Sequence, residues 1–163
     1  MFKNFALLGA FTAVMLFGAF IIKADEKKNG HEEKAEHKVA HGGCLNAIAT
    51  CENGHAEVKV EGDMLKLWFV GGGTDTEKAV RIPDKEITLS VTLAGEKESR
   101  NLILKAKPNE LAEEKEGDCS SFEGKAEWLK NAKKFVATAT INFKGKKQEM
   151  KIVYPVGYDP DEE

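Results

Sequence analysis

Apolar residues recur at every second position over most of the chain, which is the period of half-buried β-strands. Ala56, Val58 and Val60 alternate with His55, Glu57, Lys59 and Glu61; after the Glu61-Gly62-Asp63 turn, Leu65, Leu67 and Phe69 alternate with Lys66 and Trp68. This predicts a hairpin with His55 on its polar, outward face. Ile87, Leu89, Val91 and Leu93 alternate with Glu86, Thr88, Ser90 and Thr92, and the Ala94-Gly95-Glu96 turn leads into Asn101 to Ala106 as a second hairpin. Phe135, Ala137, Ala139, Ile141 and Phe143 form one side of a third, which returns through Lys144-Gly145 into Gln148, Met150, Ile152 and Tyr154. No long stretch carries the 3.6-residue period of an amphipathic helix, and at most a turn or two fits near Ala126 to Ala132. The expected fold is all-β, an antiparallel immunoglobulin-like sandwich of about seven to eight strands.

The two ends break this pattern. Lys3 precedes an unbroken apolar stretch from Phe5 to Ile22, closed by Lys23-Ala24 and a polar run. Residues 1–24 therefore read as an export signal, either cleaved or retained as an N-terminal membrane anchor, since the stretch is just long enough to span a bilayer. Residues 25–40 are almost wholly polar and read as a charged, His-containing tether with too little to bury to become ordered. The folded domain is expected over 41–156, and 157–163 as an acidic C-terminal tail.

Charge narrows the functions available. Lys and Arg number 24 against 27 Asp and Glu, a net charge of −3, and loss of Lys3 and Lys23 with the leader makes the remainder more acidic. No basic field exists to gather nucleic acid. Enzymatic signatures are absent as well. Gly71-Gly72-Gly73-Thr74 lacks the Lys-Ser/Thr ending of a phosphate-binding loop and reads as a flexible connection. No Gly-x-Ser-x-Gly elbow accompanies His41-Gly42-Gly43, and Ala35 stands where a His-Glu-x-x-His motif beginning at His31 needs its second histidine. The chain is not expected to be an enzyme. Asn109 to Cys119, rich in Glu and Lys, reads as a solvent-exposed crossing, and Met64, Met150, Trp68 and Trp128 as packing residues.

One compositional feature points to chemistry. All four histidines, His31, His37, His41 and His55, lie within residues 31–55, together with Cys44 and Cys51. Imidazole and thiolate suit copper and zinc, and a histidine-bearing acidic tether can gather such ions. His41-Gly42-Gly43-Cys44 puts two such ligands three residues apart across glycines, with His55 opening the next strand. The simpler reading of His31 and His37 is that they solubilise the tether. The candidate metal ligands are thus His41, Cys44, His55, His37 and His31, for a copper or zinc ion.

The three cysteines of an exported chain mean either one disulfide plus a free thiol or three free thiols, and an oxidising compartment favours the first. If Cys44 to Thr50 is extended, Cys44 and Cys51 lie on the order of 20 Å apart and cannot bridge. Cys119 then pairs with Cys51, leaving Cys44 beside His41, or with Cys44, removing that ligand. Of these two pairings, Cys51 with Cys119 is the expected one.

The runs His41-Gly42-Gly43-Cys44-Leu45, Gly54-His55-Ala56-Glu57 and Gly62-Asp63-Met64-Leu65-Lys66-Leu67-Trp68-Phe69-Val70 resemble a short periplasmic β-sandwich module with a His-Gly-Gly start. Such modules occur alone or fused to the adaptor subunits of bacterial heavy-metal efflux systems. The similarity extends over about residues 41–153, and the chain departs from it in its cysteines and in the Glu110 to Ser121 insertion. The resemblance implies a periplasmic or secreted protein of copper or zinc resistance, with His41 on the motif and an efflux adaptor or other envelope protein as partner. The alternative is a metal-free immunoglobulin-like structural or interaction module of the cell envelope.

Overall fold

Each expected hairpin forms, and in each the apolar side of the alternation turns inward. The computed structural model describes residues 37–162. The apolar leader, most of the tether and His31 lie outside the described residues. Eight strands follow in order: β1 (Cys44–Ile48), β2 (Thr50–Glu61), β3 (Met64–Val70), β4 (Glu86–Leu93), β5 (Arg100–Ala106), β6 (Ser121–Lys125), β7 (Phe135–Phe143) and β8 (Lys146–Tyr154). The hairpins are β2–β3, with Val58 opposite Leu67, β4–β5, with Leu89 opposite Leu102, and β7–β8, with Ala139 opposite Met150. A 3-10 turn over Glu127–Asn131 is the short helical element expected before β7.

The chain is all-β and antiparallel. Its strands, however, are hydrogen-bonded into one continuous sheet in the order β1-β2-β3-β6-β5-β4-β7-β8, whereas an immunoglobulin-like sandwich divides its strands between two facing sheets. The sheet curls until its edges, β1 and β8, come together. At that seam the fully buried Asn46 accepts from the amide of Val153 through Oδ1 at 2.8 Å and donates from Nδ2 to the carbonyls of Cys44 and Ala56. The interior is filled by side chains from all around the sheet, with Phe69, Phe122, Phe143, Leu67, Leu89 and Met150 among the fully buried ones. Phe69 meets Phe122 edge-on at 5.7 Å and Phe143 at 5.9 Å between ring centroids. Each such side chain contributes roughly 1.5–3 kcal/mol by leaving water, so the core supplies the rigidity on which any site outside it depends.

Two segments outside the strands are more ordered than their composition suggests. After β8, residues 155–161 form a strap that runs back beside β1. The amide of Ala47 donates to the carbonyl of Tyr158 at 2.7 Å, and the amide of Tyr158 donates to that of Leu45 at 3.1 Å, a parallel bridge between Asn46 and Tyr158. The open edge of β1 is thereby paired, which is why this stretch does not hang free as a tail.

In the 109–119 crossing, the Glu114 side chain is buried. It accepts from the amides of Asn109 and Ser120, from the Ser120 hydroxyl and from the Cys119 thiol. Burial pushes this carboxyl up, but those hydrogen bonds together outweigh it and hold the group below the ordinary carboxylate range.

Candidate metal centre

Strand β2 carries the site because both of its faces are covered. Gly54 through Val58 are all buried. Ala56 and Val58 enter the core, while His55 and Glu57 project from the other side of the strand. His55 is only 3% exposed, which corrects its expected outward position. Alternation showed correctly that His55 and Ala56 face opposite ways, but it could not show that residues before β1 fold over the second face.

That cover is the lead-in segment of residues 37–43, pinned at two places. The hydroxyl of buried Thr76 donates to the carbonyl of Lys38 at 2.8 Å. Further on, the buried Glu57 carboxylate accepts from the amides of His41 and Gly43 at 2.8 and 2.9 Å, and from Nδ1 of His41 at 2.9 Å. The His41 ring lies flat against Trp68, with 4.3 Å between centroids and 2° between planes. These two anchors hold His37 over the start of β2.

Here His37, Cys51 and His55 converge. One donor atom from each lies within 4.8 Å of the others. In a straight strand Cys51 and His55 would be about 13 Å apart along the backbone. The bulge opposite Ala47–Ile48 and the unusual φ of +154° at Gly54 bend β2 between them. His37 and His55 meet edge-on with 4.8 Å between ring centroids.

The donor chemistry of each group is set by its neighbours. Nδ1 of His55 lies 3.1 Å from the carbonyl of Gly71. A carbonyl only accepts, so Nδ1 carries the proton and Nε2 keeps its lone pair, the arrangement metal-binding histidines ordinarily adopt. Burial, the largest influence, lowers the affinity of His55 for a proton, the Gly71 carbonyl works against this, and the nearby His37 lowers it further. His55 is thus neutral and able to coordinate at neutral pH. Nδ1 of His37 is a buried nitrogen with no hydrogen-bond partner among the described residues. Buried polar atoms are rarely left so without an unseen water or ion.

The Gly71-Gly72-Gly73 loop, expected to be a flexible connection, is part of this framework. It supplies the carbonyl that orients His55, and the amide of Gly73 donates to the carbonyl of Cys51 at 2.9 Å. A Cβ at Gly72 would lie 2.0 Å from the carbonyl oxygen of Glu52, so only glycine permits this approach to β2.

The site opens into a cleft of about 220 Å3, lined by His37, Cys51 and His55 on one side and by Val156, Tyr158 and Asp159 of the strap on the other. A wider groove of about 570 Å3 beside Arg100 and Trp128 has no histidine or cysteine in its lining.

The expected ligands are therefore sorted into different places. His37 and His55 come together. His41 is held by Glu57 and Trp68 and does not join them. Cys44 faces the core, its thiol directed at the carbonyl of Val153 at 4.0 Å, and burial pushes that thiol up in pKa. It is not beside His41, because the two project from opposite sides of the chain entering β1. The expected disulfide is corrected too, since Cys44, Cys51 and Cys119 are all unbridged. Cys119 is sealed in by Ser121 and Glu114, its thiol donating to the Ser121 carbonyl at 3.1 Å, while Cys51 faces the cleft with the two histidines. The third donor is thus the cysteine that spacing assigned to a disulfide. Its sequence signal is that Cys51 and His55, both odd-numbered, share a face once β2 is extended back to Thr50.

No family model, curated protein or solved structure matches this chain.

Proposed function

We propose that this chain is an exported accessory module of the bacterial cell envelope that binds one copper or zinc ion passively through His37, Cys51 and His55. The observation that carries the proposal is the convergence of two imidazoles and a thiol within 4.8 Å, at the mouth of an open cleft. Two features strengthen it. His55 is oriented by a carbonyl in the manner of a metal ligand, and His37 presents a buried nitrogen with no partner among the described residues. For bonds of 2.0–2.3 Å, tetrahedral ligand atoms lie about 3.3–3.8 Å apart, so the donors need close by only about an ångström around an ion.

The apolar leader supports export, and the His-Gly-Gly resemblance supports a heavy-metal resistance setting in which the ion passes to an efflux adaptor. A protein that only holds and releases an ion needs no catalytic group to do this. Calorimetric titration of the chelator-treated protein with zinc and with cuprous ion tests the proposal. One equivalent should bind at micromolar level or tighter, and His37→Ala together with His55→Ala should abolish the binding. Flat traces for both ions would instead leave a metal-free interaction module.

A further inference from the structure

Resting on that reading, the geometry points to Asp159 as a fourth ligand that makes the site one for zinc, or a similar divalent cation, over cuprous ion. Cys51 belongs to two donor groups at once. Its sulfur lies within 4.8 Å of one donor atom from each of His37 and His55, and likewise of carboxylate oxygens of Asp159 and Asp161. A single thiolate serving one ion can complete its coordination from either carboxylate. Asp159 is half-buried and lines the cleft with both histidines, whereas Asp161 is exposed and does not line it. Asp159 also acts electrostatically on His55, favouring positive charge there. It is carried on the strap one residue beyond Tyr158, whose bridge to Asn46 seats it beside the cleft.

Charge decides between the metals. Binding releases the Cys51 proton to solvent and leaves a thiolate, while both imidazoles stay neutral. With these three ligands alone, cuprous ion gives a neutral site and zinc a site of net charge +1. With the Asp159 carboxylate added, zinc becomes the neutral case and cuprous ion carries −1. A partly enclosed cleft penalises net charge, and a hard carboxylate suits zinc better than the soft cuprous ion. The Asp159 carboxylate lies within 4.8 Å of the Cys51 sulfur but is not gathered with the histidine donors, so the N2SO set closes tetrahedrally around zinc when that carboxylate moves toward them.

The test titrates the full chain, its Asp159→Asn variant and its Asp161→Asn variant with Zn2+, with Cu+ under a competing chelator, and with Co2+ as a spectroscopic probe. Wild type is expected to bind Zn2+ one to one and to give intense visible Co2+ bands with a sulfur-to-cobalt charge-transfer band. Asp159→Asn should weaken Zn2+ by at least the ~10-fold that loss of even an outer-shell partner causes, alter the Co2+ bands and leave Cu+ binding equal or tighter. Asp161→Asn should match wild type. Unchanged Zn2+ affinity and Co2+ bands in Asp159→Asn would overturn the inference while leaving the three-ligand site standing. Wild type binding none of the three ions would overturn both. Thermal unfolding of each metal-free variant separates a lost ligand from a lost fold.

Discussion

His41 donates through Nδ1 to the buried carboxylate of Glu57 across 2.9 Å, so a residue that spacing nominates as a metal ligand acts instead as an anchor for the segment bearing His37. Glu57 also takes the amides of His41 and Gly43. Replacing it with alanine removes all of these acceptors together. We expect Glu57→Ala to lower stability by about 1–3 kcal/mol, read as a shift in the urea midpoint. Zinc affinity should fall about tenfold, equivalent to about 1.4 kcal/mol, because His37 loses its support. His41→Ala, which keeps the backbone amides bonded, should show a smaller effect on both measures.

Thiol reactivity distinguishes the three cysteines. Cys44 and Cys119 are buried and their thiols are pushed up in pKa, chiefly by that burial, so both are poor nucleophiles in the folded state. Cys51 is half-buried at the cleft. A chromogenic disulfide reagent should therefore label one thiol rapidly in the native protein and all three after denaturation without reductant. Zinc should slow the fast phase at least tenfold, and Cys51→Ser should remove it. A single reactive thiol after denaturation would instead mark a disulfide between the others.

His55 makes stability depend on pH in a definite direction. Its affinity for a proton is lower in the fold than the ordinary value of 6.5, first because it is buried. The unfolded chain therefore takes up a proton in a range where the native chain does not, and acidification favours unfolding. The contribution is fully present above pH 6.5 and is lost as pH falls through that value toward the lower folded one. A single proton changes stability by at most about 1.4 kcal/mol per pH unit across this window. Denaturant midpoints of metal-free protein between pH 7.5 and pH 5 should fall more steeply for wild type than for His55→Gln.

Gly72→Ala tests the loop beneath the site. The added methyl meets the Glu52 carbonyl at 2.0 Å, a backbone atom that cannot rotate away. The start of β2 or the loop must shift, at a destabilisation of about 1–3 kcal/mol. Since Cys51 immediately precedes Glu52 and Gly71 orients His55, metal affinity should fall as well. A variant matching wild type in thermal midpoint and zinc titration would show that the contact is unimportant.

Much of the barrel is legible in the sequence, because each hairpin combines strict alternation with a turn containing glycine. The two strands outside those hairpins are not. β1 is the short run Cys-Leu-Asn-Ala-Ile, and β6 has Phe122 as its one large apolar residue, opposite Leu67. Their pairing is decided by neighbours distant in sequence, as is the choice between a single curled sheet and two facing ones. For the site, the gathering of histidines and cysteines before residue 56 is plain from composition. Which of them meet depends on a bend in β2, on two buried acceptor and donor groups, Glu57 and Thr76, and on a strap more than a hundred residues away. None of these leaves a local pattern.

The strap after β8 also occupies the seam between the first and last strands through its bridge from Tyr158 to Asn46. A ligand gripping Asp159 would therefore draw tight the place where, among the described strands, the cylinder is not zipped by a regular ladder. Under the proposed binding, loading and mechanical toughness would be linked, and a filled protein would resist proteases and pulling forces that open an empty one from its C-terminal end.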